Sequence, residues 1–125
     1  MTRSERGSTL VEFLGSALLI VLALLALAQM AVWIWARGVT ANAAHEGARA
    51  AASLGASDAT GVWQARGVLQ DGLGSTARGF TVDAARRGGL VHVEIAGESP
   101  RIIGFMPTFP LHAASTVLDE ATVTP

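Results

Sequence analysis

Glu12 sits where a carboxylate is expensive. Gly7 precedes it by five positions, Phe13 follows it, and the 24 residues from Phe13 to Ala36 carry no charge, with Ser16 and Gln29 the only notably polar ones. At the edge of such a segment an ionised carboxyl group needs water or a cation, because burial without either costs several kcal/mol or shifts the group to its neutral form. Two chemistries are open to it. Thr9 and Glu12 have the T-x-x-E spacing of a capping box, and a negative charge in a first helical turn is worth about 0.3–1 kcal/mol against the helix dipole. Alternatively, a carboxylate only a turn from the interface reaches water.

The other residues able to do chemistry form no catalytic constellation. His45-Glu46 is followed by Gly47-Ala48-Arg49, so H-E-x-x-H lacks its second histidine. His92 and His112 are able to face each other across strands, but without a placed carboxylate they are expected to be solvated side chains, not metal ligands. Gly72-Leu73-Gly74-Ser75-Thr76-Ala77 spells G-x-G-x-x-A, yet it trails a helical pattern and precedes a strand, the reverse of a dinucleotide fingerprint, and is expected to be a linker turn. No G-x-S-x-G frames a serine, and Arg86-Arg87 is internal and cannot be a twin-arginine signal. Cysteine is absent, which removes thiol nucleophiles, CxxC zinc sites, disulfides and lipidated cysteines. A net charge of −1 gives no electrostatic case for nucleic acid or an acidic substrate. The expectation is a non-enzyme with no cofactor, metal, nucleic acid or small-molecule substrate.

These residues are positioned by few elements. The uncharged run amounts to about 36 Å of helix, enough to cross a hydrocarbon core of about 30 Å. Trp33 and Trp35 mark its far interface just before Arg37. Arg3, Arg6 and the amino terminus against Glu5, compared with Arg37 and Arg49 against Glu46, lean slightly toward a cytoplasmic N-terminus. A rival reading takes Met1 to Arg6 as an n-region, Leu14 to Leu25 as an h-region and Ala26-Leu27-Ala28 as a cleavage site; the apolar run continuing through Trp35 argues against it. Beyond the span, Ala43, Gly47, Ala51 and Gly55 recur at i, i+4 as a small-residue stripe that lets another helix approach closely, and Gly55 is a natural helix end.

A second helix is expected after Ser57-Asp58, with Val62, Ala65, Leu69 and Leu73 as its apolar stripe and Trp63 alongside; Gly61 and Gly67 each weaken it by about 1 kcal/mol relative to alanine. From Phe80 the period becomes two: Phe80, Val82 and Ala84, then Val91, Val93 and Ile95, with Arg87-Gly88-Gly89 as the hairpin connection and a third strand between Leu111 and Leu118. Three prolines exclude a central strand between Glu98 and Leu111. Its apolar residues Ile102, Ile103, Phe105, Met106 and Phe109 either cover the open face of the sheet or form an interaction patch for another subunit or the bilayer surface.

The segment Arg6 to Phe13, RGSTLVEF, resembles the processing site of type IV prepilin-like proteins of the tight-adherence (Tad) pilus systems. Ala36 to Ala52, ARGVTANAAHEGARAAA, is similar to the alanine-rich, arginine-bearing stretch that follows the span in TadE-like pseudopilins. Together the likeness covers roughly the first 55 residues. It implies a leader ending at Gly7, a prepilin-peptidase cut between Gly7 and Ser8 on the cytoplasmic side, and Glu12 and Phe13 as the fifth and sixth mature residues, where Glu12 sets the assembly register by pairing with a cation and Phe13 completes the motif. The resemblance implies other pilin or pseudopilin subunits as partners through the N-terminal helix, in the bacterial cytoplasmic membrane. It also implies a cytoplasmic N-terminus, a C-terminal head outside, and incorporation into a cell-surface pilus as an option. The expected organisation is a leader over 1–7, a transmembrane and extended helix over 8–55, and a small α+β head over 56–125 with about three antiparallel strands. The alternative is an uncleaved single-pass anchor carrying a binding domain.

Overall fold

The computed structural model describes residues 3–102 and 104–120. The fold is α+β: a long apolar helix α1 (Arg3–Ala52), a shorter helix α2 (Asp58–Leu73), a 3-10 segment (Gly74–Gly79), and strands β1 (Thr81–Arg87), β2 (Leu90–Glu98) and β3 (Pro110–Leu118). The chain divides into two compact units, Met1–Ala31 and Val32–Pro125.

In the first unit α1 stands with Leu10, Phe13, Leu18, Leu19, Ile20, Leu24 and Leu27 all more than half exposed. The helix is long and apolar enough to cross a membrane; its most apolar 18-residue window has a mean hydropathy of 2.6, and none of it is buried within the chain. Helix begins at Arg3, so the expected Thr9–Glu12 capping box does not form. Thr9 lies inside the helix, and its hydroxyl donates to the carbonyl of Glu5 at 2.9 Å, the back-bond that an interior threonine makes.

The second unit is built on a small-residue face of α1. Ala36, Ala43, Ala44, Ala48 and Ala51 are wholly buried, and Thr40 joins them by donating its hydroxyl to the Ala36 carbonyl at 2.7 Å. The helix ends at Ala52, a turn before the expected Gly55, which instead takes φ +80° in the turn that follows. Ser57 caps α2 with a reciprocal capping box to Thr60, and Ala65 and Leu69 bury its inner stripe. Trp63 points away and is 76% exposed.

The sheet is an antiparallel meander in the order β1-β2-β3. Arg87 pairs with Leu90 across Gly88 and Gly89, whose φ values of +58° and +80° make a two-residue turn open to glycine at little cost. Alternation puts Val82, Val91, Val93, Ile95 and Leu111 inside. Phe80, also buried, lies over the α-carbon of Gly97 so closely that a Cβ there would stand 2.5 Å from the ring.

The same alternation turns Arg86 inward, at the end of the sheet near the end of α1. Its guanidinium meets Asp119 at 2.7 Å and Asp58 at 2.9 Å, and donates to the carbonyls of Ala51 and of Ala56, the latter at 3.0 Å. The hydrogen bond to Asp119, with the charges of both carboxylates, holds its pKa above the ordinary arginine value against some desolvation, so the group is a fixed cation. One side chain thereby ties α1, α2, β1 and the chain after β3. Arg86→Met is expected to lower the melting temperature of the head by several degrees in thermal scans of the whole chain. Arg87→Met, on the exposed side of the same strand, is expected to leave it unchanged; equal effects would dismiss the clasp.

Candidate functional site

Within the first unit, Gly7, Ser8, Glu12 and Phe13 all lie on the continuous helix α1. Glu12 is exposed, Phe13 is 68% exposed, and Glu12 has no ion-pair partner among the described residues. A Cβ built on Gly7 would meet no atom within 4 Å. Among the described residues neither the glycine nor the carboxylate therefore has a packing role.

Within the second unit, the stripe of α1 is occupied by the chain's own α2. Gly47 and Gly61 touch backbone to backbone: a Cβ at Gly47 would stand 2.9 Å from the Gly61 carbonyl oxygen and 2.9 Å from the Ala65 methyl, and one at Gly61 would stand 2.7 Å from the Gly47 oxygen and 2.6 Å from the Ala51 methyl. Val93 of β2 lies beside the same spot. Ala43 and Ala51 are buried on this face, whereas Gly55 is beyond the helix and has open space around it. Further along the seam Gly72 meets Val39, and the indole of Trp35 donates to the Gly72 carbonyl at 3.4 Å.

The connection between β2 and β3 is pinched at its neck. Ser99 N–H donates to the Phe109 carbonyl at 2.9 Å, Phe109 N–H donates to the Ser99 hydroxyl at 3.1 Å, and Thr108 donates to Glu98 at 3.1 Å. Beyond the neck, Ile102 is 45% exposed, Phe105 78% and Phe109 44%, with Met106 half-buried. The apolar side chains thus do not cover the sheet, whose outer face carries exposed His92, Glu94, His112 and Thr116. Ile103 lies outside the described residues.

On that outer face the histidines do have a placed carboxylate, contrary to expectation. Glu94 Oε1 is 3.3 Å from His112 Nε2 and 4.0 Å from His92 Nε2, and His92 Nδ1 is 2.8 Å from the Thr116 hydroxyl. The cause is register: Glu94 pairs with Ala114 and His112 with Ala96, which sets Glu94 diagonally beside His112. Among the described residues no group of three or more histidines and carboxylates could hold a metal ion. Arg86 is the structural side chain that residue types alone least announce. Its signal was present, since the inward positions Val82 and Ala84 continue to residue 86.

Residues 7–49 match the family model of TadE-like proteins. No curated protein and no solved structure matches the chain significantly. The match begins at the glycine before Ser8 and ends in the last turn of α1, so it covers the apolar helix and the stripe on which the head is built as far as Gly47 and Ala48, short of Ala51. The matched segment lies within the helix that is long and apolar enough to cross a membrane. Over residues 7–49, about a third of the chain, the sequence is similar to TadE-like proteins.

Proposed function

We propose that the chain is a minor pseudopilin or assembly component of a Tad-type pilus or related secretion machine, without catalytic activity. A prepilin peptidase cuts it between Gly7 and Ser8. Its N-terminus faces the cytoplasm and its head stands outside the cytoplasmic membrane. The observation that carries the reading is the pair of Gly7 and Glu12 on a helix where the chain itself gives neither a use. A glycine inside a helix costs about 1 kcal/mol relative to alanine, and nothing packs against Gly7. A carboxylate bordering an apolar surface is equally unrewarded until a cation reaches it.

Cleavage supplies that cation. The cut frees an α-amine on Ser8, and in a bundle of such helices that amine, from the same or a neighbouring subunit, pairs with Glu12. Assembly register then depends on processing, and Phe13 completes the peptidase's recognition pattern. The test is the N-terminal residue of the protein recovered from membranes of its native host, read by intact mass or terminal sequencing. A start at Ser8 is expected. A start at Met1 or Thr2 would leave an anchored domain and remove the register mechanism.

A further inference from the structure

We infer that the loop between β2 and β3 rests on the lipid bilayer, in the headgroup layer beside the point where α1 enters the head. The inference relies on the membrane anchoring of α1, and not on leader cleavage.

The loop lies at the end of the second unit where the chain enters it. The chain enters this unit at Val32, directly after the apolar helical segment, and Trp33, Trp35 and Arg37 follow. α2 runs antiparallel to α1: its first turns, at Gly61, touch Gly47 and Ala51, and its last, at Gly72, touch Val39 and Trp35. The 3-10 segment continues from that last turn, so β1 starts near the entry point and ends at Arg86, beside Ala51. β2 therefore returns toward the entry point, and β3 leaves from it. The loop lies there, and Ser99, Pro100, Arg101 and Thr108 share a cleft with Thr76 and Gly79 of the 3-10 segment.

Its chemistry suits that place. Ile34 and Trp35 are 59% and 63% exposed on α1, and Ile102, Phe105 and Phe109 extend the exposed apolar surface at the same end of the unit. Arg37, Arg78 and Arg101 are exposed there as well. Aromatic rings with arginine beside them favour the boundary between headgroups and acyl chains, where the rings leave water and the guanidinium groups meet lipid phosphate. The loop is also built to display these groups. The Ser99–Phe109 neck closes it, and Arg101 donates to the Gly104 carbonyl at 3.2 Å, so the apolar side chains are held outward by a folded loop.

The chain has no cysteine, so single labels are simple to place. Ile20→Cys, Phe105→Cys and Ala59→Cys would each carry a bimane on the full chain. The chains are reconstituted sparsely in vesicles of phosphatidylethanolamine and phosphatidylglycerol containing a lipid with a headgroup-proximal nitroxide. Phe105 is mostly exposed, so its replacement removes little packing. Ala59 is exposed in the first turn of α2, away from the entry point. The label at 105 is expected to be quenched severalfold more than the label at 59. Quenching at 20 but none beyond the 59 level at 105 would keep the anchor and overturn the loop contact. Bimane self-quenching at 105 that grows with protein density, without lipid quenching, would assign the patch to a second copy and overturn it too. No quenching at 20 would overturn the anchor and the contact together.

Discussion

Two glycines of α2 are expected to respond to the same substitution with opposite signs. Gly61→Ala should destabilise the head by about 1–3 kcal/mol, the usual cost of forcing a methyl group into a well-packed interior. Gly67→Ala should stabilise it by about 0.5–1 kcal/mol, by removing a glycine from a helix interior. At Gly61 the new methyl would stand 2.7 Å from the Gly47 carbonyl oxygen, a backbone atom that cannot swing aside, and 2.6 Å from the Ala51 methyl. The two helices would have to separate, opening the seam against Val93 as well. At Gly67 nothing lies within 4 Å. Thermal melts of the full chain in nanodiscs, followed by the circular dichroism of the sheet, would measure both. A shared sign would show that helix propensity, and not the seam, governs the response.

Glu12→Val is expected to insert into the membrane normally and to fail in assembly. In the mature bundle the partner of Glu12 would be the Ser8 amine, and removing one member of a buried ion pair costs about 3–5 kcal/mol, because the other charge stays behind uncompensated. That is a loss of about a hundredfold or more in incorporation. Carbonate extraction would score insertion, and cross-linking or co-purification with pilin-like subunits would score assembly. Equal assembly of the variant and the parent would reduce Glu12 to a surface carboxylate on an anchor helix. Glu12→Asp separates charge from reach: it keeps the carboxylate on a side chain one methylene shorter, and partial assembly is its expected result.

How much was legible beforehand depended on whether the signal was periodic or positional. Long runs of one period, such as the uncharged stretch after Phe13 and the alternation through Val91, Val93 and Ile95, fixed the element types, and the three strands and the second helix lie where their patterns put them. Helix starts did not follow. Thr9 and Glu12 have capping-box spacing, but nothing upstream stops the helix, so it begins at Arg3 and Thr9 bonds backward. Gly61 and Gly67 are the same residue type in one helix, and only the crossing of α1 distinguishes the one that must be glycine. The Glu94–His112 contact depends on the strand register, which residue types alone do not set. Gly7 and Glu12 stand out by their spacing ahead of the apolar run, and among the described residues neither makes a packing contact or ion pair that would explain it.

The Arg86 clasp bears on the order in which the head matures. Synthesis delivers α1 well before Asp119, and the arginine in between gathers carbonyls from residues 51 and 56 and carboxylates from 58 and 119. The seam of α1 with α2 and the β1–β2 hairpin are contacts between neighbours in sequence, which close quickly. The clasp spans nearly seventy residues and waits for the third strand. A nascent head is therefore a loosely latched object until Asp119 arrives. During that interval the edge of β2 that β3 will cover is open to proteases and to other chains, so the arrival of β3 and Asp119 also decides how long each newly made chain remains vulnerable.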